Sequence, residues 1–195
     1  MQKPAETAYP VHDLIASRWS PRAFSDRPVD RETLGSLLEA ARWAPSCFND
    51  QPWSFLVATR EDAAGFAKLG ACLMEGNAWA KNAAALMVTV ARDDFSQTGK
   101  PNKHAWHDVG LAVQSLVLQA QALGLGSHQM AGFDAGAAQT SLGIPEGYSP
   151  VTMVAIGYPG EPDSLPEALA ERETAPRARR PLEEFVFGAD WGTGL

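Results

Sequence analysis

The chain has 195 residues, 45 % of them apolar, and carries a formal charge of −7. That is enough to build one domain with a sizeable core, and the acidic balance excludes the broad basic surface that a nucleic-acid binder needs. There is no run of about 18 apolar residues, and "MQKPAETAYP" holds no signal-peptide core, so no membrane partner is expected and the cytoplasm is the expected location.

In chain order, "VHDLIASR" places Val11, Leu14 and Ile15 at helical spacing and ends where Pro21 forbids continuation. "DRETLGSLLEAARWAP" predicts a helix with Asp30 as N-cap, an apolar face of Leu34, Leu37, Leu38 and Ala41, and a stop before Pro45. "WSFLVA" (53–58) reads as a strand and "ALMVTVA" (85–91) as a buried one, with a helix over 61–76 between them. Residues 93–104 are polar, contain Gly99 and Pro101, and form a loop long enough to be a lid or a partner contact. The segment from Ala105 to Leu125 is apolar nearly all round, which a helix shows when it is buried on several sides or lies at a subunit interface. A short strand near "SHQM", a small helix near "AGAAQTSLG" and the strand "VTMVAIG" (151–157) follow. From Pro159 onward, proline and charge predict an extended tail. The whole is expected to be one α+β domain over residues 1–195, a mixed central sheet covered by helices, with residues 1–10 as an N-terminal arm and 159–195 as the tail.

Chemistry concentrates in three places. In "SRWSPRAF", Arg18, Ser20 and Arg22 alternate with Trp19 and Pro21, so an extended backbone sends the three polar side chains one way, as a cup for an anion. "RARRPLEEF" sets Arg177, Arg179 and Arg180 beside Pro181; alone it could be a solvated charge run, but with Arg18 and Arg22 it could close on a phosphomonoester, whose oxygens match arginine forks. No GxGxxG or GxxxxGK[ST] loop is present, which speaks against a Rossmann or P-loop site. "APSCFNDQPWSF" frames Ser46, Cys47, Asn49 and Gln51 between prolines, either as an ordinary connection or as hydrogen-bonding groups for a heterocycle. Cys47 and Cys72 lack CxxC spacing, and His104, His107 and Asp108 read as a helix start, so no metal site is expected. His128 needs only a packing role, and most of the six tryptophans should be core or interface aromatics.

Taken together, "SRWSPRAF", "APSCFNDQPWSFLV", "GLGSHQMAGFD" and "RARRPLEEFVF" resemble the nitroreductase family of FMN-dependent oxidoreductases, over about residues 11–191. The resemblance implies that Arg18 and Ser20, with Trp19 between them, hold the FMN phosphate and ribityl chain, joined by Arg177 and Arg179, and that Arg22 approaches the N1/O2 edge of the ring. It implies that Pro45, Ser46, Cys47 and Asn49 of the opposite subunit cover the ring, that Gln129, Met130, Ala131 and Gly132 supply main-chain contacts facing N5, and that Asn77 touches the flavin. Some relatives carry an acidic residue where Ala131 stands and a lysine where Ala80 stands. The implied function is a homodimer with shared sites that passes hydride from NAD(P)H through flavin N5 to nitroaromatic, quinone or similar small-molecule acceptors by a ping-pong route, with no side chain acting chemically. Reductive dehalogenation on the same fold, or flavin binding without turnover, are the alternatives.

Overall fold

The structure, a computed structural model, describes residues 3–195. Four strands form one sheet: β1 (Trp53–Thr59), β2 (Ala85–Arg92), β3 (Gly126–Met130) and β4 (Tyr148–Gly157), in the order β1-β2-β4-β3. Around it lie α1 (Asp13–Ser17), α2 (Arg31–Arg42), α3 (Ala63–Gly70), α4 (Ala105–Ala122), α5 (Ala135–Ser141) and α6 (Glu167–Thr174). The α+β class is as expected, but a mixed sheet is not what forms: every strand pair is antiparallel. The reason lies in the connections. Thr59 at the end of β1 pairs with Ala85 at the start of β2, so the intervening α3 and the 3-10 turn Glu75–Asn82 run out and back to the same edge.

Strand alternation divides the core into two. Leu86, Val88 and Val90 of β2, with Met153 and Ala155 of β4, pack on one face against Leu69, Trp79 and Ala138. Ala85, Met87 and Ala91, with Val154 and Ile156, pack on the other against Leu37 and Ala41 of α2 and Val109, Val113 and Leu116 of α4. Burial on both faces is why β2 reads as a near-continuous apolar run, interrupted by Thr89, whose hydroxyl bonds to Thr152.

Two further expectations are corrected by packing. The helix over 61–76 stops at Gly70, because Cys72 and Leu73 turn to meet Asp134 and Phe133. The tail is not extended throughout: α6 forms in it, and its Glu173 is buried against the start of the chain. Of the tryptophans, Trp79 is buried and Trp53 packs against the core, whereas Trp43, Trp106 and Trp191 are exposed in one chain. The Asp30 cap is made as expected, its carboxylate accepting from the Thr33 N–H. Among the described residues no helix is long and apolar enough to cross a membrane.

Helix α4 places the ends of the site. Ala105, Asp108, Val109, Ala112, Val113, Leu116, Val117 and Ala120 form one buried stripe, so this chain covers one side of the helix and not several. Trp106, Gly110 and Gln114 face outward along the opposite side.

Candidate functional site

The turn that carries Arg18 to Arg22 is seated on β3. At Gly126 a Cβ would lie 2.3 Å from Cγ of Pro21, so only glycine lets the turn approach this closely. His128, two residues on, receives it: its Nδ1 lies 3.0 Å from the Pro21 carbonyl oxygen, and its ring packs on Trp79 with centroids 4.6 Å apart. Burial, assisted by the nearby Arg22 charge and opposed by the Pro21 and Ser20 carbonyls, pushes the His128 pKa down to about 4. The imidazole is therefore neutral at pH 7 and donates to the Pro21 carbonyl.

One groove of about 910 Å³ gathers Arg18, Arg177 and Arg179, together with the N-terminal arm at Ala5–Tyr9 and with Leu182 and Phe185. Arg18 is half-buried; burial and the neighbouring Arg177 and Arg179 lower its pKa, and burial and Arg179 lower that of Arg177. None of the three has a carboxylate partner among the described residues. Arg18 Nη1 reaches Ser20 Oγ only at 3.5 Å. Arg177 is also a clamp: its Nη1 donates to the carbonyls of Lys3 at 2.6 Å and Ala16 at 2.9 Å, tying the tail to α1 and the arm. Glu6 also lines the groove but pairs with none of them, so three crowded guanidiniums lack an anionic partner, and the volume suits a ligand of nucleotide size.

Arg22 differs from the other arginines of the cluster. Its Nη1 lies 3.7 Å from Glu173 Oε2, and its guanidinium stands 5.9 Å from the Trp79 ring centroid. Sequence reasoning missed Glu173, which in "EALAERET" is one acid among several; only its burial singles it out.

Asn77 and Gly132 are brought together. Asn77 Nδ2 donates to the Gly132 carbonyl at 2.9 Å, and a Cβ on Gly132 would stand 2.5 Å from that nitrogen. Met130 is buried at the end of β3, where its carbonyl accepts from Thr152 Oγ1 at 2.8 Å, while Gln129 and Ala131 are exposed. Ala80 is buried.

The Pro45–Asn49 loop lies elsewhere. Phe48, Asn49 and Gln51 all adopt left-handed backbone, with φ of 52°, 54° and 48°, a cost the surroundings must hold in place. They do so through Asp108, which accepts the Cys47 N–H at 2.9 Å, through Ser46 Oγ, which accepts the Gln51 N–H at 3.0 Å, and through Asp50. The Asp50 carboxylate takes Arg92 at 2.7 Å and the Ser96 hydroxyl at 2.6 Å, binding the 93–104 loop to this one. Burial would raise the Asp50 pKa, but the bonds from Ser96 and Arg92 outweigh it and hold it below the ordinary value. Asp108 near the start of α4 anchors this loop, whereas Gln121 near its end donates to Ser17 Oγ beside Arg18. At 1.5 Å per residue, those anchors stand about 20 Å apart along the helix. Within one chain, then, the Ser17–Arg18 turn is tied near one end of α4 and the Pro45–Asn49 loop near the other, with the arginine groove reaching back along the helix to Gln114.

A profile of the Nitroreductase family matches residues 15–93 and 73–158. A 15.4 kDa protein of Mycolicibacterium smegmatis, named "Uncharacterized 15.4 kDa protein in ask 5'region", is 37 % identical over 139 residues, covering 70 % of this chain and 92 % of that protein. A protein of Archaeoglobus fulgidus named "Putative NADH dehydrogenase/NAD(P)H nitroreductase" is 31 % identical over 159 residues, covering 80 % of this chain and 88 % of that one. A solved structure described as "The crystal structure of the oxidoreductase containing FMN" superposes with a TM-score of 0.90 at 40 % identity, over 97 % of this chain and 96 % of that one.

Proposed function

The chain belongs to the nitroreductase family of oxidoreductases, and from that premise we propose that it is a cytoplasmic homodimer that binds FMN at two shared sites and oxidises NAD(P)H. The observation that carries the reading is the set of three guanidiniums around one groove with no carboxylate to pair them, which fits a terminal phosphate carrying nearly two charges. FMN, when bound, would supply the redox chemistry of a ping-pong cycle between NAD(P)H and a nitroaromatic, quinone or similar acceptor. The chain's own residues bind and orient. Arg18 and Arg179, with Ser20 and the second nitrogens of Arg177, hold the phosphate and ribityl end beside Trp19. Arg22 offers positive charge to the far edge, and the main chain from Gln129 to Gly132, fixed by Asn77, presents its amides to the ring.

The dimer has independent support. Gly110 sits mid-helix on the outward side of α4, where a Cβ would meet nothing within 4 Å, so nothing in this chain repays the roughly 1 kcal/mol that glycine costs there. Close approach of a second α4 would. Two α4 helices related by a two-fold axis and lying antiparallel set the arginine end of one chain beside the Pro45–Asn49 end of the other, which removes the 20 Å separation. The exposed Trp106 on the same side of α4 adds apolar area to such a contact.

The test is direct. Acid release from the purified protein yields FMN, NAD(P)H bleaches the bound flavin without oxygen, and a quinone restores its colour. FAD as the dominant flavin, or no flavin after reconstitution, overturns the cofactor assignment; bound FMN that NAD(P)H cannot bleach overturns the oxidoreductase cycle.

A further inference from the structure

Glu173 is the buried acid that the proposed cycle leaves without a role. It is 1 % exposed, although Arg172 and Thr174 on either side face solvent. Its Oε1 accepts the backbone N–H of Arg22 at 2.8 Å and of Ala23 at 3.0 Å, and its Oε2 stands 3.1 Å from the Arg22 N and 3.7 Å from Arg22 Nη1. One carboxylate from α6 thus holds both the backbone and the side chain of a residue in the first basic block. Lys3 closes the arrangement from outside, donating to the Glu173 carbonyl at 2.7 Å. The opposite side of Arg22 is walled by Trp79, which also packs on His128.

Holding two N–H groups does not require charge, since a neutral amide oxygen accepts them equally well. A buried full charge is costly, and here it lies against the one arginine of the first block that is not in the phosphate cluster. Two consequences follow from the geometry. The backbone clamp fixes where the Arg22 guanidinium points, and the negative charge cancels part of the positive potential that Arg22 projects.

We propose that Glu173 is a positioning residue that aims Arg22 and trims its charge, thereby setting the reduction potential of the bound cofactor; this rests on the FMN reading above. Reduction adds negative charge to the ring, so positive charge at its edge raises the potential and a nearby carboxylate lowers it. The C-terminal segment then serves both ends of the ligand: Arg177 and Arg179 at the phosphate, Glu173 through Arg22 at the ring.

The experiment is the midpoint potential of the FMN holoprotein, measured by equilibration with a reference dye. Glu173→Gln keeps an oxygen for the two N–H groups and removes the charge. It should retain one FMN per chain while binding the reduced form about threefold to tenfold more tightly relative to the oxidised, a rise of ~15–30 mV for a two-electron couple. Glu173→Asp keeps the charge and retracts it; its potential should stay near the parent's even where the Tm falls. Arg22→Gln, which does not depend on a foldable Glu173 variant, should lower the potential. Full FMN occupancy with an unmoved potential in Glu173→Gln, or in Arg22→Gln, overturns the role of Glu173 and leaves the FMN assignment standing. A parent protein that takes up no FMN overturns both.

Discussion

Arg18→Ala isolates the phosphate end of the site. Arg177 already spends one nitrogen on the Lys3 and Ala16 carbonyls, so its loss would mix binding with stability, and Arg179 is exposed. Arg18 is half-buried, makes no ion pair among the described residues and feels mainly desolvation and the repulsion of Arg177 and Arg179. Its removal should therefore cost the apoprotein little, since a crowded like charge is relieved. The ligand loses one charge-assisted hydrogen bond, worth about 1.5–3 kcal/mol, or roughly ten- to a hundred-fold in Kd. Titrating apoprotein with FMN and following quenching of flavin fluorescence measures this, with the apo Tm as control. Equal affinity in variant and parent would remove Arg18 from the phosphate site, and a large drop in the apo Tm would show that its role is structural. Arg180→Ala should matter less, because its guanidinium already faces Glu184 across 4.0 Å.

Cys47→Ser should leave turnover within a few-fold of the parent, since the structure uses the Cys47 backbone N–H and not its sulfur; loss of activity at full FMN occupancy would put the thiol in the chemistry. His128, held near 4 when folded and ordinarily near 6.5, binds its proton more readily in the unfolded chain, so stability should fall as the pH drops from about 6.5 to about 4, by up to about 3 kcal/mol. His128→Gln should flatten that slope in thermal melts, and an unchanged slope would refute the assignment. At an FMN concentration low enough to leave the Arg18→Ala and Asn49→Ala homodimers each empty and inactive, mixing the two chains should give heterodimers with one intact site of two; verified heterodimers without activity would mean that both residues serve one site from one chain.

How far the sequence could be read depended on the range of the interactions. Residues 85–91 and 151–157 are legible as strands because burial on both faces over most of their length leaves nearly continuous apolar runs, broken by Thr89 and Thr152, and Asp30 is legible as a cap because its partner is three residues away. The antiparallel order is not, since nothing in residues 61–76 says that the chain doubles back; that is settled by contacts of Cys72 and Leu73 with Phe133 and Asp134. The arginines are visible as clusters, and the groove joins Arg18 to Arg177 and Arg179 across most of the chain length. Glu173 shows the opposite case. Its partner lies 151 positions away, and a helix with acids at 167, 171 and 173 offers no local reason to prefer one of them.

A site shared between chains makes binding and assembly one equilibrium. On the proposed shared-site architecture a monomer would offer FMN the arginine cluster alone, whereas a dimer would add the partner's Pro45–Asn49 loop, so the ligand would favour the dimer by the difference in affinity. If monomers bind negligibly, FMN at a hundredfold excess over its Kd contributes about 2.7 kcal/mol per site, and two sites lower the apparent dimer dissociation constant by roughly four orders of magnitude. Partial binding to the monomer shrinks this, but its sign is fixed. Sedimentation of apo- and holoprotein over a dilution series should therefore find the apoprotein dissociating at much higher concentration. The rigid, left-handed backbone at Phe48, Asn49 and Gln51 strengthens the expectation, because a loop already held in place by Asp108, Ser46 and Asp50 loses little conformational freedom when it closes over a ligand. Identical dissociation constants with and without FMN would mean that each chain binds its ligand unaided, and the arginine groove and the Pro45–Asn49 loop, anchored about 20 Å apart on α4, would then be two unrelated features.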